Sequence, residues 1–424
     1  MESVIKQRIH KTEALAWALF IVFIIFASAL PGIEISGIGL LYPFRLCLPF
    51  VCAYCILFKK LNTVLFQQNY WKLFGVFALM LVCGVLTLFW TPNISETIKQ
   101  LANYLFGFAL VACIVILVNQ PNKLYRVAFI CMIVMLFVMV LGIYEGITGN
   151  YIFADGWENI YPYNNNITIH YTVVCFGNPN DLIFTAIGFM PFINVALKNI
   201  FVGNKRKFRY ILACSYYLLT LANAVLSSCR MGILLLFGIL YLGLFFNKNE
   251  VVRRFAQISL CCVFVVGIIG FRQIVDIISR ESRVVIWLNV LRNAKNYFYL
   301  GMGPGTSYLE LPGVEYVGMV INPHFWFLEI FAEFGVVVFL VVFCGYIYIG
   351  YKSWRIYNKS TGEAKDLSSS TLKFIIYFIP MNIMSSSISA MPSFWLMISF
   401  AAIAVVMAGH LPKDCITERG NKRG

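Results

Sequence analysis

The segment that decides the fold reads RESRVVIWLNVLRNAKNYFYLGMGPG at residues 280–305 and continues as NPHFWFLEIFAEFG at residues 322–335. Its first part carries several cations, whereas its apolar side chains recur at helical spacing and would form one face of a helix. These apolar positions are Val284, Trp287, Leu288 and Leu291. The pattern predicts an amphipathic helix near a membrane surface.

A glycine-rich run follows this predicted helix. The sequence Gly301-Met302-Gly303-Pro304-Gly305 is typical of a loop. His324 then stands at the start of the next apolar run. Residues 272–323 are therefore predicted to form one large loop that contains short amphipathic helices, and we expect the chemistry of the protein to be built there.

The composition excludes a soluble protein. The chain has 424 residues, of which 60% are hydrophobic and 12% charged, and its mean hydropathy is +0.79. This balance predicts an all-α integral membrane protein, with residues 1–424 forming a single polytopic domain. Runs of about 18 apolar residues can span a bilayer, and about twelve are present. They lie near residues 14–30, 38–58, 73–90, 98–118, 124–147, 181–200, 208–226, 231–246, 255–271, 326–350, 372–390 and 393–410.

The distribution of the cations accounts for the formal net charge of +14. Most of the 33 lysines and arginines fall in alternate loops, as the positive-inside rule predicts for cytoplasmic segments. We therefore expect no nucleic-acid partner. The predicted orientation has both termini in the cytoplasm, a cytoplasmic loop at residues 351–371, and exterior loops at residues 148–180 and 272–323.

Some cations depart from this pattern because they lie in predicted spans or exterior segments, where a cation is costly. They are Arg45, Lys99, Arg230, Arg272, Arg280, Arg283, Arg292 and Lys295. Arg45 either snorkels or ties two helices together, or it faces a polar cavity. Arg230 follows a tight turn and is either a surface arginine or a phosphate ligand.

The exterior loop at residues 148–180 is rich in Tyr, Asn and Trp and contains no Lys or Arg. Aromatic rings stack on sugars and amides bond hydroxyl groups, so this composition suits contact with a glycan. An aromatic belt at the membrane interface would give the same composition. The loop closes on Asn178 and Asn180, which are candidate substrate ligands or caps of the next helix.

Clustered arginines beside one histidine favour the binding of a phosphate-bearing lipid. The guanidinium fork matches phosphate oxygens and stays charged, so it can stabilise a pyrophosphate leaving group without a metal. A neutral histidine can take the proton from an attacking sugar hydroxyl. His324 is the candidate base, and capping at the interface is its alternative. Glu333 is either a second base or a hydrogen-bonding tie between helices. No metal and no cofactor are expected.

Four pieces in chain order resemble a known family. They are Leu226-Ser227-Ser228-Cys229-Arg230-Met231-Gly232, Arg283-Val284-Val285-Ile286-Trp287, Gly301-Met302-Gly303-Pro304-Gly305, and His324 followed by Glu333 and Gly335. This order resembles the O-antigen ligase and polymerase superfamily of polytopic membrane glycosyltransferases. The resemblance implies a fold of the GT-C-like kind and transfer of glycans from undecaprenyl pyrophosphate on the outer face of a bacterial cytoplasmic membrane.

The resemblance also implies roles for particular residues. Arg230 and Arg283 resemble the pyrophosphate-binding arginines of the family, and His324 resembles its catalytic histidine. The remaining candidates for substrate binding are Arg45, Arg280, Arg292, Asn178, Asn180 and Glu333. Two positions depart from the ligase pattern, since Phe325 follows the histidine where Asn, Ser or Gln is usual, and Val338 replaces a second glycine.

These departures favour a metal-independent polymerase that joins undecaprenyl-pyrophosphate-linked oligosaccharide repeats into O-antigen, capsule or exopolysaccharide. The alternatives are a ligase that transfers the glycan to a lipid A core or another acceptor, and a flippase or transporter of lipid-linked oligosaccharide. Expected partners are the lipid-linked oligosaccharide and membrane lipid, with a flippase and a chain-length regulator as candidate protein partners.

Overall fold

The computed structural model describes most of the apolar runs. The described residues are 17–29, 33–35, 39–41, 43–58, 70–153, 158–161, 167–176, 178–245, 250–251, 254, 257, 282–307, 323–385 and 388–411. The predicted span at 255–271 lies outside them apart from Gln257, as do Arg272, Arg280 and much of the loop at 272–323.

Helices make up almost all of the described chain. They are α1 (Trp17–Ala29), α2 (Pro43–Phe58), α3 (Trp71–Leu86), α4 (Ile94–Leu117), α5 (Pro121–Thr148), α6 (Pro179–Ile200), α7 (Arg206–Leu226), α8 (Arg230–Phe245), α9 (Ser282–Ala294), α10 (Trp326–Lys359), α11 (Gly362–Met381) and α12 (Pro392–His410). Two antiparallel hairpins lie between helices and consist of β1 (Ile33–Ile35) with β2 (Gly39–Leu41), and β3 (Glu158–Tyr161) with β4 (Ile167–His170). Short 3-10 turns occupy Thr87–Phe89, Gly203–Lys205, Lys295–Tyr297 and Ile388–Ala390.

Local sequence sets several helix ends. Proline opens α5, α6 and α12, where its missing N–H is not needed and its fixed φ suits the first turn. The Asn93 side chain caps α4 by accepting from the Glu96 N–H. Gly149 ends α5 with a left-handed φ of 70°. The remaining stability of these helices comes from packing.

The centre of the bundle is formed by α6, α11 and α12. Phe192 of α6 packs against Phe374 of α11 at 5.6 Å and against Phe400 of α12 at 5.6 Å. Phe378 and Phe394 stack at 5.8 Å between α11 and α12. Because α6 and α12 are buried on nearly all sides, the other helices are arranged around them.

The two ends of the bundle differ in chemistry. The polar end holds buried or half-buried hydrogen-bonding residues, namely Arg45, Gln100, Asn103, Asp181, Ser227, Ser385 and Ser389. The basic end holds Lys72, Lys123, Lys198, Arg206 and Lys352, and there Tyr125 bonds Glu363 and Lys198 pairs with Asp366. Every predicted site residue among the described ones belongs to a helix or loop that meets the polar end.

Helix α10 is broken at Gly335, which has φ 87° and ψ 175°. We call residues 326–334 the half-helix and residues 336–359 the long arm. Phe331 contacts Phe339 at 5.7 Å, and Phe327 contacts Phe343 at 5.5 Å. In a straight helix the second pair would lie about 24 Å apart. The half-helix therefore folds back antiparallel along the long arm.

This fold-back corrects the prediction of one continuous span at residues 326–350. Among the described residues, seven helices have the length and composition to cross a membrane, and three shorter apolar helices accompany them. Each predicted run other than 255–271 overlaps a helix. The chain is thus an all-α membrane protein, in which the described residues add two short hairpins.

The predicted cytoplasmic loop at residues 351–371 is also corrected, because only Ser360 and Thr361 are not helical there. Serines in this segment bond carbonyl groups of their own helix. Ser353 Oγ donates to the Ile349 carbonyl at 2.8 Å, and Ser368 Oγ donates to the Ala364 carbonyl at 2.8 Å. Polar composition suggested a connector, but these bonds let the same residues continue a helix.

Orientation can be tested with single cysteines. Asn296, just after α9, and Lys359, at the end of α10, are both exposed. In a background without the 13 native cysteines, Asn296→Cys should react with an impermeant maleimide added to intact cells. Lys359→Cys should react only after the membrane is opened. The reverse labelling pattern would contradict the predicted exterior position of the polar end.

Candidate active site

The break in α10 is held by the loop at residues 299–307, which we call the glycine loop. The Met302 N–H donates to the Ala332 carbonyl at 2.8 Å, and the Gly303 N–H donates to the Glu333 carbonyl at 3.1 Å. In return the Val336 N–H donates to the Tyr299 carbonyl at 2.9 Å. These are backbone groups that the break deprives of helical partners, so the loop replaces the missing turn.

Glycine is required where the two backbones meet. Gly301 and Gly335 have φ values of 97° and 87°, which side chains with a Cβ rarely adopt. A Cβ on Gly301 would lie 2.4 Å from the Glu333 carbonyl oxygen, and one on Gly335 would lie 2.5 Å from the Leu300 carbonyl carbon. The glycine motif read from the sequence is thus a close backbone contact as well as a turn.

Glu333 closes the glycine loop from the other side. Its carboxylate accepts from Ser307 Oγ at 3.0 Å and from the backbone N–H groups of Gly305 and Ser307. The Thr306 hydroxyl donates to the Gly303 carbonyl at 2.6 Å within the loop. Only 6% of Glu333 is exposed. The contacts therefore make Glu333 an anchor of the loop, and its role as a second base stays a prediction.

The glycine loop is also fixed to the neighbouring helices. Trp90 Nε1, just beyond α3, donates to the Gly301 carbonyl at 2.7 Å. Gly303 lies against Thr91 and Thr97, whose hydroxyls bond each other at 2.9 Å. The loop is therefore tied both to α10 and to the connection between α3 and α4.

His324 lies immediately before the half-helix in a left-handed conformation with φ 47°. Its neighbours are held by α9. Trp287 Nε1 donates to the Pro323 carbonyl at 2.5 Å, and the Trp287 ring packs on Phe325 at 5.6 Å. Further along, Ile286 and Val290 share an apolar cluster with Leu328 and Ala332. The predicted helix is present, but Leu288 and Leu291 of its predicted apolar face are exposed, and the face that covers the half-helix is formed by Ile286 and Val290.

The arginines of this region are placed differently. Arg283 is the second residue of α9 and precedes Trp287 by one turn, so its backbone lies at the His324 end of the helix. Arg292 is exposed in the last turn of α9, about 14 Å along the helix from Arg283. The structure thus separates two candidates that the sequence grouped together.

Arg230 begins α8 and is exposed. The turn before it contains Ser228 with φ 50°, and the Ser227 hydroxyl bonds Thr172. Residues next to Thr172 are held in turn by Glu145, whose buried carboxylate accepts from the N–H groups of Val173 and Val174 at 3.1 and 2.7 Å. The tight turn predicted before Arg230 is therefore anchored to the end of the loop at 148–180.

Asn178 caps α6, since its Oδ1 accepts from the Asn180 N–H at 2.9 Å. This is the capping alternative considered for the motif. Asp181, three residues after Asn178, is buried. Its carboxylate accepts a hydrogen bond from Ser385 Oγ in the segment that follows α11. Asn178 and Asn180 are both half-buried at the polar end, and their role in substrate binding stays a prediction.

Arg45 belongs to a chain of polar contacts. Its Nη2 donates to Asn103 Oδ1 at 2.6 Å, Asn103 Nδ2 donates to Gln100 Oε1 at 2.9 Å, and Gln100 Nε2 donates to Ser389 Oγ at 3.0 Å. The guanidinium also lies 5.1 Å from the Phe106 ring. These contacts make Arg45 a tie between α2 and α4, as one of its two alternatives stated.

Several polar residues at this end were missed from the sequence. They are Gln100, Asn103, Glu145, Asp181, Ser307 and Ser385. Most lie within or beside apolar runs, and a polar side chain in such a run is itself a signal. Within the part of the chain that the structure describes, no group of three or more His, Cys, Asp or Glu residues could hold a metal ion.

Backbone strain at Gly335 gives a stability test. Gly335→Ala should lower the stability of the folded protein by about 1–3 kcal/mol, because alanine at this φ is strained and meets the Leu300 carbonyl. Gly345→Ala in the long arm is the control, since its Cβ would meet nothing within 4 Å. The measurement is the thermal unfolding midpoint in detergent. Equal midpoints for both variants would mean that the glycine loop does not clamp the break.

Comparison with known proteins gives a family match over the region that contains the candidate site. A family model described as O-Antigen ligase matches residues 216–343, which include Arg230, Arg283, His324 and the break at Gly335. The teichuronic acid biosynthesis protein TuaE of Bacillus subtilis (strain 168) is 24% identical over 353 residues, a match that covers 78% of this chain and 70% of the relative.

Proposed function

On the premise that the resemblance to the O-antigen ligase and polymerase superfamily is confirmed by these matches, we propose that the protein is a polysaccharide polymerase. It joins undecaprenyl-pyrophosphate-linked oligosaccharide repeats on the outer face of a bacterial cytoplasmic membrane. Both termini then lie in the cytoplasm, the polar end of the bundle faces outward, and the helices form a GT-C-like arrangement.

One observation carries the proposal. His324 precedes a half-helix that is fixed on one side by α9 and, at its far end, by the glycine loop. Such double support is what a catalytic group needs, because a small displacement of the base costs much of its rate. Phe325 and Trp326, the two residues that follow His324, pack on other aromatic rings, so the surroundings of this position are largely apolar.

The proposed reaction is a displacement at the anomeric carbon of the donor glycan. A hydroxyl oxygen of the acceptor repeat forms the new glycosidic bond while the bond from carbon to the pyrophosphate oxygen breaks. His324 takes the hydroxyl proton, and the electron pair leaves with undecaprenyl pyrophosphate. Arg230 and Arg283 stabilise the charge that develops on the leaving group, so no metal is required.

A polymerase is favoured over a ligase by the residue after the histidine. Phe325 packs between Trp287 and Phe327, so this position fixes α9 to the half-helix. The Asn, Ser or Gln expected of a ligase would offer a polar group there instead. A ligase that acts on a lipid A core or another acceptor remains the second candidate, because the matched family is described as O-Antigen ligase.

Transport of a lipid-linked oligosaccharide is the candidate from another class. It is disfavoured because a transporter has no need of a histidine beside a half-helix that is held by both α9 and the glycine loop. The name of the relative also refers to biosynthesis rather than to transport. A flippase and a chain-length regulator are proposed as partners of the enzyme, not as its own activity.

Reconstitution distinguishes these activities. The purified protein is placed in vesicles with a defined undecaprenyl-pyrophosphate repeat, and the products are separated by length on a gel. A ladder indicates a polymerase, and a single addition to a different acceptor indicates a ligase. Movement of the lipid across the vesicle without any new product would indicate a transporter and would contradict the proposal.

The histidine provides the first functional prediction. His324→Gln keeps a hydrogen-bonding group but removes the base, so it should lower chain extension by about 100-fold or more. Donor binding should change little, because the base acts in the transition state. His410→Gln at the exposed end of α12 is the control. Polymer ladders of normal length from His324→Gln at matched expression would show that His324 only positions the substrate.

The arginines provide a second prediction. If Arg230 and Arg283 grip pyrophosphate through two donors each, lysine at either position keeps the charge but loses the paired geometry. In each lysine variant the activity should fall at least about ten-fold, which corresponds to an increase of about 1.4 kcal/mol in the activation free energy. Arg355→Lys, exposed near the basic end, is the matched control. Full activity in both site variants would assign these arginines to the membrane interface.

A further inference from the structure

A cavity lies on the membrane side of the half-helix and reaches Trp326, its first residue. It has a volume of about 310 Å³ and is formed by α3, the long arm of α10, α11 and α12. Its walls are apolar side chains such as Met80, Val342 and Ile398, together with aromatic rings. We call it the lateral groove. A volume in this range suits a ligand of lipid or drug size.

Two lysines mark one end of the lateral groove. Lys72 lies with its Nζ 5.6 Å from the Trp71 ring and 5.7 Å from the Tyr348 ring. Lys352 follows Tyr348 by one helical turn and also lines the groove. Tryptophan, tyrosine and lysine collect at the level of lipid head groups. This end of the groove is therefore at the surface of the bilayer, on the basic side.

The length of the lateral groove corresponds to one leaflet. Its lining in the long arm runs from Val341 to Lys352, a distance of about 16 Å along a helix. The hydrocarbon core of a bilayer is about 30 Å thick, so the groove extends to about its middle. There its lining includes Trp326 and Trp395, whose rings both pack on Phe394.

We propose that the lateral groove is a binding site for an anionic glycerophospholipid of the leaflet at the basic end. One acyl chain fills the groove, and the phosphate lies between Lys72 and Lys352. Charge complementarity and depth both favour this occupant over the polyprenyl carrier. This comparison rests on the proposed function, in which the pyrophosphate of the carrier lies beside Arg230 and Arg283 at the opposite end, whereas the cations of this groove are on the basic side.

This site goes beyond the proposed reaction. The top of the lateral groove contains Trp326, the first residue of the half-helix, so the bound chain contacts the element that follows His324. The lipid would fill the space between α3 and the long arm and would contact the half-helix at Trp326. Its presence does not depend on which glycan transfer the protein performs.

Glycine positions allow a clean test. Gly345 lines the lateral groove, and a Cβ there meets nothing within 4 Å, so Gly345→Phe would fill the space without displacing the backbone. Gly75→Phe on α3 is the matched control, because it is exposed outside the groove and its Cβ is equally unobstructed. The charge variant is Lys72→Gln with Lys352→Gln, and Lys359→Gln is its control.

The full chain is reconstituted with mixed phosphatidylglycerol and phosphatidylcholine, and retained lipid is measured by native mass spectrometry. The wild type and both controls should retain phosphatidylglycerol, whereas Gly345→Phe should lose it. In the double lysine variant the preference for phosphatidylglycerol over phosphatidylcholine should fall about thirty-fold.

Two results would contradict the proposal. Equal retention of phosphatidylglycerol by Gly345→Phe and Gly75→Phe would show that the lipid does not bind in the lateral groove. An undecaprenyl lipid that co-purifies from cells in this groove would show that the occupant is not a glycerophospholipid. Because bound lipid is measured, neither result depends on glycosyltransferase activity.

Discussion

The hydrogen bonds between the glycine loop and the break in α10 are the contacts on which the rest of the candidate site depends. A helix broken inside a membrane leaves backbone groups without partners, and this is costly where water is scarce. Here the carbonyls of Ala332 and Glu333 and the N–H of Val336 all find partners in the loop. The break is thus tolerated because the loop is present. In turn the loop has its shape because Gly301 and Gly335 can approach each other.

From that contact the organisation of the polar end follows in steps. The glycine loop joins α10 to the connection between α3 and α4 through Trp90. The half-helix that it fixes carries α9 along its side, so Trp287 lies against the residues that flank His324. A separate polar chain from Arg45 to Ser389 joins α2, α4 and the segment before α12. Two independent networks therefore hold the helices that surround the site.

The sequence predicted much of this architecture. Apolar runs identified the helices, and the spacing of Val284, Trp287, Leu288 and Leu291 identified α9 as a helix. It did not identify the buried face, which is formed by Ile286 and Val290 while Leu288 and Leu291 are exposed. The fold-back at Gly335 could not be predicted, because hydropathy does not register a reversal inside an apolar run. The helical character of residues 351–371 was missed because serine composition resembles that of a connector. For Arg45 and Asn178 the sequence left two interpretations open, because it does not show the hydrogen-bond partner. The partner of Arg45 is distant in sequence, and that of Asn178 is a backbone N–H.

The reversal in α10 also bears on how the chain is inserted during synthesis. The half-helix ends at Gly335, beside the glycine loop, and the long arm leaves from the same place. Only the long arm therefore carries the chain from one side of the bilayer to the other. The 34-residue segment still crosses the bilayer once, so the predicted sides of the preceding and following loops are unchanged. The half-helix can then dock after the long arm has entered the membrane, as a separate step in assembly.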